Sequence, residues 1–529
     1  MPVQRRSDSG EIALHPTERW TQEAFWVFAS CCRCRSGVRA PRPSDGRQPA
    51  AQLSEVGHCA MSIEPIGLLT MIVGLMCVFL GHRATFATLV PAALFGSAAA
   101  ILIGSANIQP GHLFLAFAAL SVLARRHESA FAIAAAKFPQ PGFWFMCLML
   151  YGVFGAILIP RLAAGSMDII PLGTSAFGDT GYTVPLGPVS SNFTQSIYLV
   201  ADFICFIITL AVATTRAGFL ACTGGVLAYA AGNVLFALID LVTYNTGTAW
   251  LLDFMRNAQY TLHIEEEVVG LKRIVGSFPE ASAFAHSTIA AIGFTGTMWL
   301  CGRRPALTGT LAISSLILLI LSTSSAGLAT VPPLLIILYA TALKRCGFDS
   351  RSRPYTSAAI LCAPLLILAV ILAAQLNAEA YKPISDYLDA LIFSKSTSDS
   401  GVVRGTWNTF ALQNFFESYG FGVGLGTVRA SSFPVAFLSN VGIPGVTFYL
   451  LFAATGFLRR RGIPRTFPAD ARLAARNACL AIIIGDTFAG TTVEQGLLFY
   501  VLAAMACAEP ERHIEHLSPV PNRPVGARI

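Results

Sequence analysis

The chain has 529 residues, 54% of them hydrophobic and only 12% charged, with mean hydropathy +0.61. Soluble domains carry about 25% charged residues, so half of the usual charge is missing and an ordinary soluble domain is excluded. The net charge of +7 is scattered through short loops, which fits orientation in a membrane by basic loops and argues against a nucleic-acid surface.

Residues 1–60 differ in kind from the rest of the chain. They hold eight arginines (Arg5, Arg6, Arg19, Arg33, Arg35, Arg39, Arg42, Arg47) and no sustained apolar period. The apolar patch Ala24–Ala29 is too short for the core of a signal peptide. Two readings stand: a disordered arginine-rich cytosolic tail, or a misassigned gene start with initiation at Met61. The triplet Cys31, Cys32, Cys34 lacks a second half and argues against zinc. Most of the 13 cysteines sit singly in apolar runs, as Cys147, Cys205, Cys362 and Cys479 do, and there they act as small hydrophobes.

From Ile66 to Ala508 apolar runs of roughly 17 to 25 residues recur, the length that crosses a bilayer. The fold class is therefore all-α: a polytopic integral membrane protein over 61–510, with a short tail over 511–529. The predicted spans are Ile66–Leu80, Ala84–Ile103, Leu113–Ala124, Phe143–Ile159, Ile197–Thr214, Gly218–Val242 and Ala281–Leu300. They continue with Ala306–Leu321, Leu328–Leu343, Ser357–Ala374, Phe433–Phe457, Ala475–Phe488 and Gly496–Ala508, about 12–13 transmembrane helices in all. Arg125 and Arg126, Arg216, Arg303 and Arg304, Lys344 to Arg353, and Arg459 to Arg461 fall on one side, which the positive-inside rule assigns to the cytoplasm. Three long loops near 160–196, 243–280 and 375–432 then share the outer face. Long loops in a compact protein carry function or are disordered, and three on one face point to function. They are expected to contain short helices: an interfacial one over Trp250–Val275 and one over Thr406–Ser418.

Ionisable residues at these loops and in the spans are the candidates. Lys272 and Arg273 stand just before Gly276 and the Phe278-Pro279 turn, where the chain re-enters the membrane. A guanidinium there suits a phosphate, whose oxygens its planar fork can pair, or else it anchors to lipid headgroups. Arg404 and Trp407 precede an alternating run at Gly420, Gly422, Gly424 and Gly426, which Arg429 closes. No strand–turn–helix surrounds these glycines, so they are no dinucleotide fingerprint. They permit close backbone approach, with exposed N–H groups that could cradle an anion or simply a flexible loop. Asp202, Asp240, Asp486 and Glu494 lie in or near spans, where charge is costly and defaults to function. Asp202 and Asp240, near span ends, either reach water or serve helix packing; Asp486 either faces an internal cavity or serves helix packing. His112, His263 and His286 stand alone and read as packed or solvated. No metal motif, nucleophile elbow or P-loop appears.

At these residues the chain resembles the family of O-antigen ligases and O-antigen or exopolysaccharide polymerases. The resemblance is carried by Lys272-Arg273-Ile-Val-Gly276-Ser-Phe278-Pro before a span, Ser322-Thr-Ser-Ser-Ala-Gly327 between spans, Arg404-x-x-Trp407 followed by GFGVGLG, and Gly442-Ile-Pro-Gly445 inside the next span. It implies a metal-independent, cofactor-free membrane glycosyltransferase acting on a polyprenyl-diphosphate-linked oligosaccharide at the periplasmic face of the bacterial inner membrane. By that resemblance Arg273 and Arg404 are catalytic. Lys272, Trp407, Gly422, Gly424, Gly426 and Arg429 contact the substrate, in a lateral groove open to the bilayer. A flippase and a chain-length regulator of the same pathway are the implied partners. Two departures matter: the ligases place a histidine after the glycine run where this chain has Arg429-Ala-Ser-Ser-Phe433, and Ala326 stands where many relatives carry arginine. The polymerase reading gains over ligation, and the base stays open between Glu280 and Glu417. A transporter or flippase is the alternative from another class, but midplane charges and repeated halves are its usual marks, and no repeat is visible here.

Overall fold

Proline opens one helix after another. Pro65, Pro110, Pro141 and Pro305 each stand in a first turn, where the missing N–H breaks no bond and the fixed φ is already helical. The computed structural model describes residues 61–103, 106–175, 183–268, 270–346, 354–376 and 378–511. The arginine-rich segment 1–60 with its cysteine triplet, the basic residues Arg351 and Arg353, and the tail beyond residue 511 lie outside the described residues.

The helices are α1 (Pro65–Leu80), α2 (His82–Ala92), α3 (Pro110–Leu123), α4 (Arg126–Ala135), α5 (Pro141–Leu162), α6 (Ser190–Ala213), α7 (Arg216–Thr246) and α8 (Ala281–Leu300). They continue as α9 (Pro305–Leu321), α10 (Ser325–Cys346), α11 (Pro354–Leu376), α12 (Ala378–Leu388), α13 (Asp399–Glu417), α14 (Phe433–Ala453), α15 (Phe467–Ala489) and α16 (Gly496–Cys507). Of the described residues 73% are helical, and the fold is all-α, as expected. Small antiparallel strands punctuate it: β1 (Met61–Ile63), β2 (Ile101–Ile103) and β3 (Ala106–Ile108) form a meander, β4 (Asp168–Ile169) pairs β5 (Val184–Pro185), and β6 (Glu267–Val268) pairs β7 (Leu271–Lys272).

Six helices among the described residues are long and apolar enough to cross a bilayer: α5, α6, α7, α10, α11 and the stretch Phe433–Leu458 that begins with α14. The chain is thus a multi-pass membrane protein. α11 makes the physical case, because no residue of its apolar window is buried by protein. Leu361, Leu365, Leu366 and Ile367 stand outward, and a helix apolar all round needs lipid as its solvent. Four further apolar helices, α1, α3, α9 and α16, are shorter. α8 and α15 carry many polar residues and lie at the centre, packed against each other, with α9 and α10 also on α8.

Two expectations need correction. Ala84–Ile103 is not one span: α2 ends just past Pro91, and the chain turns through Leu94–Ala100 into β2. Trp250–Val275 is not an interfacial helix. A short 3-10 helix, Ala249–Met255, gives way to extended chain and the β6–β7 hairpin at Gly270, whose φ is +70°. Fixed ion pairs there hold the backbone more strongly than helical pattern does. By contrast, α13 starts earlier than expected, because Ser398 caps it by accepting from Gly401 N–H at 3.2 Å.

The first and third long connections meet. Leu172 N–H donates to Thr427 O, Arg429 N–H to Ile170 O, and Asn414 Nδ2 to Asp168 O at 2.7 Å. Elsewhere, buried Asp470 receives Arg303 at 2.7 Å and Arg345 at 2.8 Å, and Arg472 pairs Glu511.

Candidate functional site

Asp240 organises the second long connection. Its side chain does not reach water and is only 1% exposed. It accepts from Arg256 Nη2 at 2.7 Å, Lys272 Nζ at 3.2 Å, Val275 N–H at 2.9 Å and Gly276 N–H at 3.1 Å. Lys272 also donates to Ile264 O and Arg273 O and lies over the Tyr244 ring at 5.0 Å. An ammonium so fully engaged holds the loop together and has no free donor to turn toward a ligand.

Locking Lys272 inward turns its neighbour outward. Arg273 Nη1 donates to Glu266 Oε2 at 2.5 Å, and Glu266 also meets His263 Nδ1 at 2.6 Å. Facing this pair from the third connection are Lys395 and Arg404: Lys395 feels the charge of Arg404, Arg273 and Glu266. Burial first, then repulsion from Arg404 and Arg273, holds the Lys395 ammonium below the ordinary lysine range, with Glu266 pulling it back. Arg404 is half-buried and has no carboxylate at ion-pair distance among the described residues. Its face of α13 recurs at helical spacing, with Trp407, Asn408, Ala411 and Asn414 turned inward. The two arginines singled out by sequence therefore both lie within charge range of Lys395, an unforeseen third cation.

Trp407 and Arg429 also come together. The guanidinium stacks at 4.9 Å over the indole and donates to Leu172 O at 3.2 Å. Burial lowers its affinity for its proton. The glycine run, in contrast, is built into the protein. Gly422 and Gly424 N–H groups donate to Ser418 Oγ and Asn440 O, and the segment 422–428 is buried. A Cβ on Gly422 would stand 2.7 Å from Gly442 N, and one on Gly426 2.5 Å from Ser191 O. Neither a flexible loop nor an anion cradle describes it; close approach does.

Beside these groups lies a cavity of about 820 Å³. Its walls are the N-terminal ends of α3, α6, α8, α10 and α16 and the C-terminal end of α15. Pro279 and Leu172 line it; Pro279 O accepts from His263 N–H and Leu172 O from Arg429, which ties the basic cluster and Arg429 to its rim. Inside stand Glu280, His286, Asp486 and Glu494, with His112, Tyr198 and Tyr229. Asp486 faces the cavity, one of its two sequence readings. Of the two base candidates, Glu280 lines the cavity and takes a hydrogen bond from Ser282 Oγ, while Glu417 is exposed and paired with Gln413. Ser322, Thr323 and Ser324 are buried, and the turn delivers Ala326 and Gly327 to the cavity wall.

Sequence reasoning misses Lys395 and Arg256, which carry no local signal, and misses the pairing of His286 with Asp486 at 2.8 Å. The rule that flags Asp486, an ionisable group in an apolar run, applies equally to His286. Asp202 does not reach water: it is fully buried, and neither carboxylate oxygen finds a donor among the described residues. The chain matches no protein-family model and no curated protein sequence.

Proposed function

We propose that this chain is a membrane glycosyltransferase that polymerises polyprenyl-diphosphate-linked repeat units into a surface or secreted polysaccharide, at the periplasmic face of a bacterial inner membrane. The observation that carries this reading is that Lys395 lies within charge range of two further cations, Arg404 and Arg273, and of one carboxylate, Glu266, which Arg273 pairs at 2.5 Å. Three cations to one anion repel one another at rest and are balanced by a diphosphate. Breaking a glycosyl–diphosphate bond places a further negative charge on the leaving oxygen, and fixed cations there lower the barrier without a metal. In this reading the four shorter apolar helices and the central α8 and α15 bring the six long helices to about 12 crossings, the three long connections are periplasmic, and the polyprenyl tail lies among lipid-facing helices. A flippase supplying the donor and a chain-length regulator are the expected partners. Arg273 and Arg404 act at the diphosphate with Lys395. Lys272, Gly422, Gly424 and Gly426 shape the site, and Arg429 with Trp407 borders the cavity at Leu172.

The test is surface glycan length in a strain lacking the gene, complemented with wild type, Arg273→Ala, Arg404→Ala or Arg404→Lys. Both alanine variants are expected to accumulate in the membrane yet deliver single repeat units, with transfer reduced about 100-fold or more. Long glycan from both would make the arginines lipid anchors and remove the reading.

Lys395 adds a pH signature. Its depressed proton affinity means that the ammonium is lost at lower pH than the roughly 10.4 of a free lysine. Donor KM is expected to rise through the alkaline range below that value, and Lys395→Arg to flatten the rise. A profile identical in both proteins would take Lys395 out of donor binding.

A second reading, a proton-coupled transporter of a polysaccharide lipid, is favoured by buried Asp202, which feels the charge of Glu494; intramembrane acids often relay protons. Transport would need no transfer chemistry, so isolated wild-type protein that lengthens no glycan decides for it. A ligase would instead attach the glycan to a lipid or protein acceptor.

A further inference from the structure

The cavity holds a relay that crosses it from core to void. Tyr449 OH donates to Gln495 Oε1 at 2.7 Å, Gln495 Nε2 donates to Asp486 Oδ2 at 3.1 Å, and Asp486 Oδ1 meets His286 Nδ1 at 2.8 Å. The links come from α14, the α15–α16 connection, α15 and α8, so no local motif announces them. An ionised carboxylate accepts only. Asp486, already accepting a hydrogen bond from the Gln495 amide on one oxygen, therefore fixes the His286 tautomer with hydrogen on Nδ1 and a lone pair on Nε2. Among the described residues Nε2 has no partner, and the ring is 34% exposed although Asp486 is nearly buried. His286 and Asp486 both line the void. A histidine held by a buried acid, with its second nitrogen free at a cavity, has the geometry of a general base. The other acids there are less free: Glu280 accepts from Ser282, and Glu494 Oε2 accepts from Gly496 N–H at 2.9 Å.

We infer that His286 is the base that activates the acceptor hydroxyl, with Asp486 as its positioning residue. The inference rests on the glycosyl-transfer reading above. In the step, the acceptor oxygen forms a bond to the anomeric carbon of the donor sugar. The bond from that carbon to the diphosphate oxygen breaks, its electron pair stays with the diphosphate, and the hydroxyl proton passes to His286 Nε2. The imidazolium returns this proton to water after the polyprenyl diphosphate leaves.

The test uses the full chain in proteoliposomes, supplied with lipid-linked repeat units extracted from membranes of the strain lacking the gene. Glycan elongation is followed for wild type, His286→Ala, His286→Gln, Asp486→Asn and Glu280→Gln. Both His286 variants are expected to lose about 100-fold or more in kcat with donor KM unchanged, and millimolar imidazole to restore part of the His286→Ala rate. Asp486→Asn is expected to lower kcat with KM kept, because an amide facing Nδ1 favours the wrong tautomer. Rescue by imidazole separates lost chemistry from lost folding, since a collapsed cavity would not respond. If wild type elongates and His286→Ala stays within about threefold of it, the histidine is packing and the inference falls while the transferase stands. Loss without rescue in both His286 variants, or a loss confined to Glu280→Gln, also overturns it. If wild type itself elongates nothing, the transferase reading fails and takes the inference with it.

Discussion

Asp240→Ala is expected to remove the protein from the membrane rather than to slow it. The carboxylate is the common acceptor for two cations whose side chains are each 4% exposed, Arg256 and Lys272, and for two backbone N–H groups. Its loss leaves both charges buried and unpaired. Breaking a buried pair in this way costs about 3–5 kcal/mol, a large share of the roughly 5–15 kcal/mol that holds a domain together. The connection from Arg256 to Gly276 would detach, and with it the placement of Arg273. Asp240→Asn keeps one acceptor but turns an amide N–H₂ toward the donors, so its loss should be smaller. Fluorescence-detected size exclusion and thermal melting of the solubilised variants read the effect. Lys272→Met serves as the counterpart. A fold loss from it marks Lys272 as part of the hub, whereas a normal melt with abolished transfer returns Lys272 to the substrate. Asp240→Ala melting within about 1 kcal/mol of wild type would refute the hub.

The membrane class is legible because composition alone determines it: at 12% charge the chain has too little polar surface to be solvated by water. The candidate site is legible only in part. Lys272 and Arg273 are adjacent in sequence and look equivalent, yet alternation along β7 and beyond turns one toward Asp240 and the other toward Glu266. Nothing local distinguishes them, because the partner of Lys272 lies on α7. Arg404 and Trp407 are readable as a helical face, and α13 supplies it. Lys395 sits in a short turn between helices, where no periodicity marks it. His286 and Asp486 belong to helices far apart in the chain, and only the packing of α8 on α15 makes them a pair. Apolar length also overcounts a span that is broken, as at Pro91.

These parts share one support. The glycine run carries the chain from α13, which presents Arg404 and Trp407, to Arg429 and then into α14. It sits against the break in α14, where Val423 N–H donates to Ser439 O, Gly424 N–H to Asn440 O and Ile443 N–H to Gly420 O. Asn440 Oδ1 also accepts from Thr427 and Val428 N–H, at 2.9 and 3.1 Å. Three backbone groups at the break, Ser439 O, Asn440 O and Ile443 N–H, thus find partners in the run, which is how an irregular segment is tolerated inside a membrane protein.

Gly442→Ala is accordingly expected to be a severely damaging single-methyl change. Gly442 has φ +60° and ψ −167°, a region that is essentially glycine-only and costs an alanine about 1–3 kcal/mol before any contact is counted. The added Cβ would then lie 2.3 Å from Phe421 C and 2.4 Å from Gly420 O. Both are backbone atoms, so no rotamer change relieves the overlap. The run has to lift off α14, exposing the N–H and C=O groups that each had satisfied, and a lost buried hydrogen bond leaves about 1–3 kcal/mol unpaid per group. Loss of membrane accumulation, or of a monodisperse peak after extraction, is the expected result. Gly224→Ala is the control: a Cβ there meets nothing within 4 Å inside helical α7, and replacing a mid-helix glycine is neutral or stabilises by about 0.5–1 kcal/mol. Two variants that melt together would mean that the break in α14 is not fixed by the glycine run, and that Arg404 and Arg429 are held in place by something else.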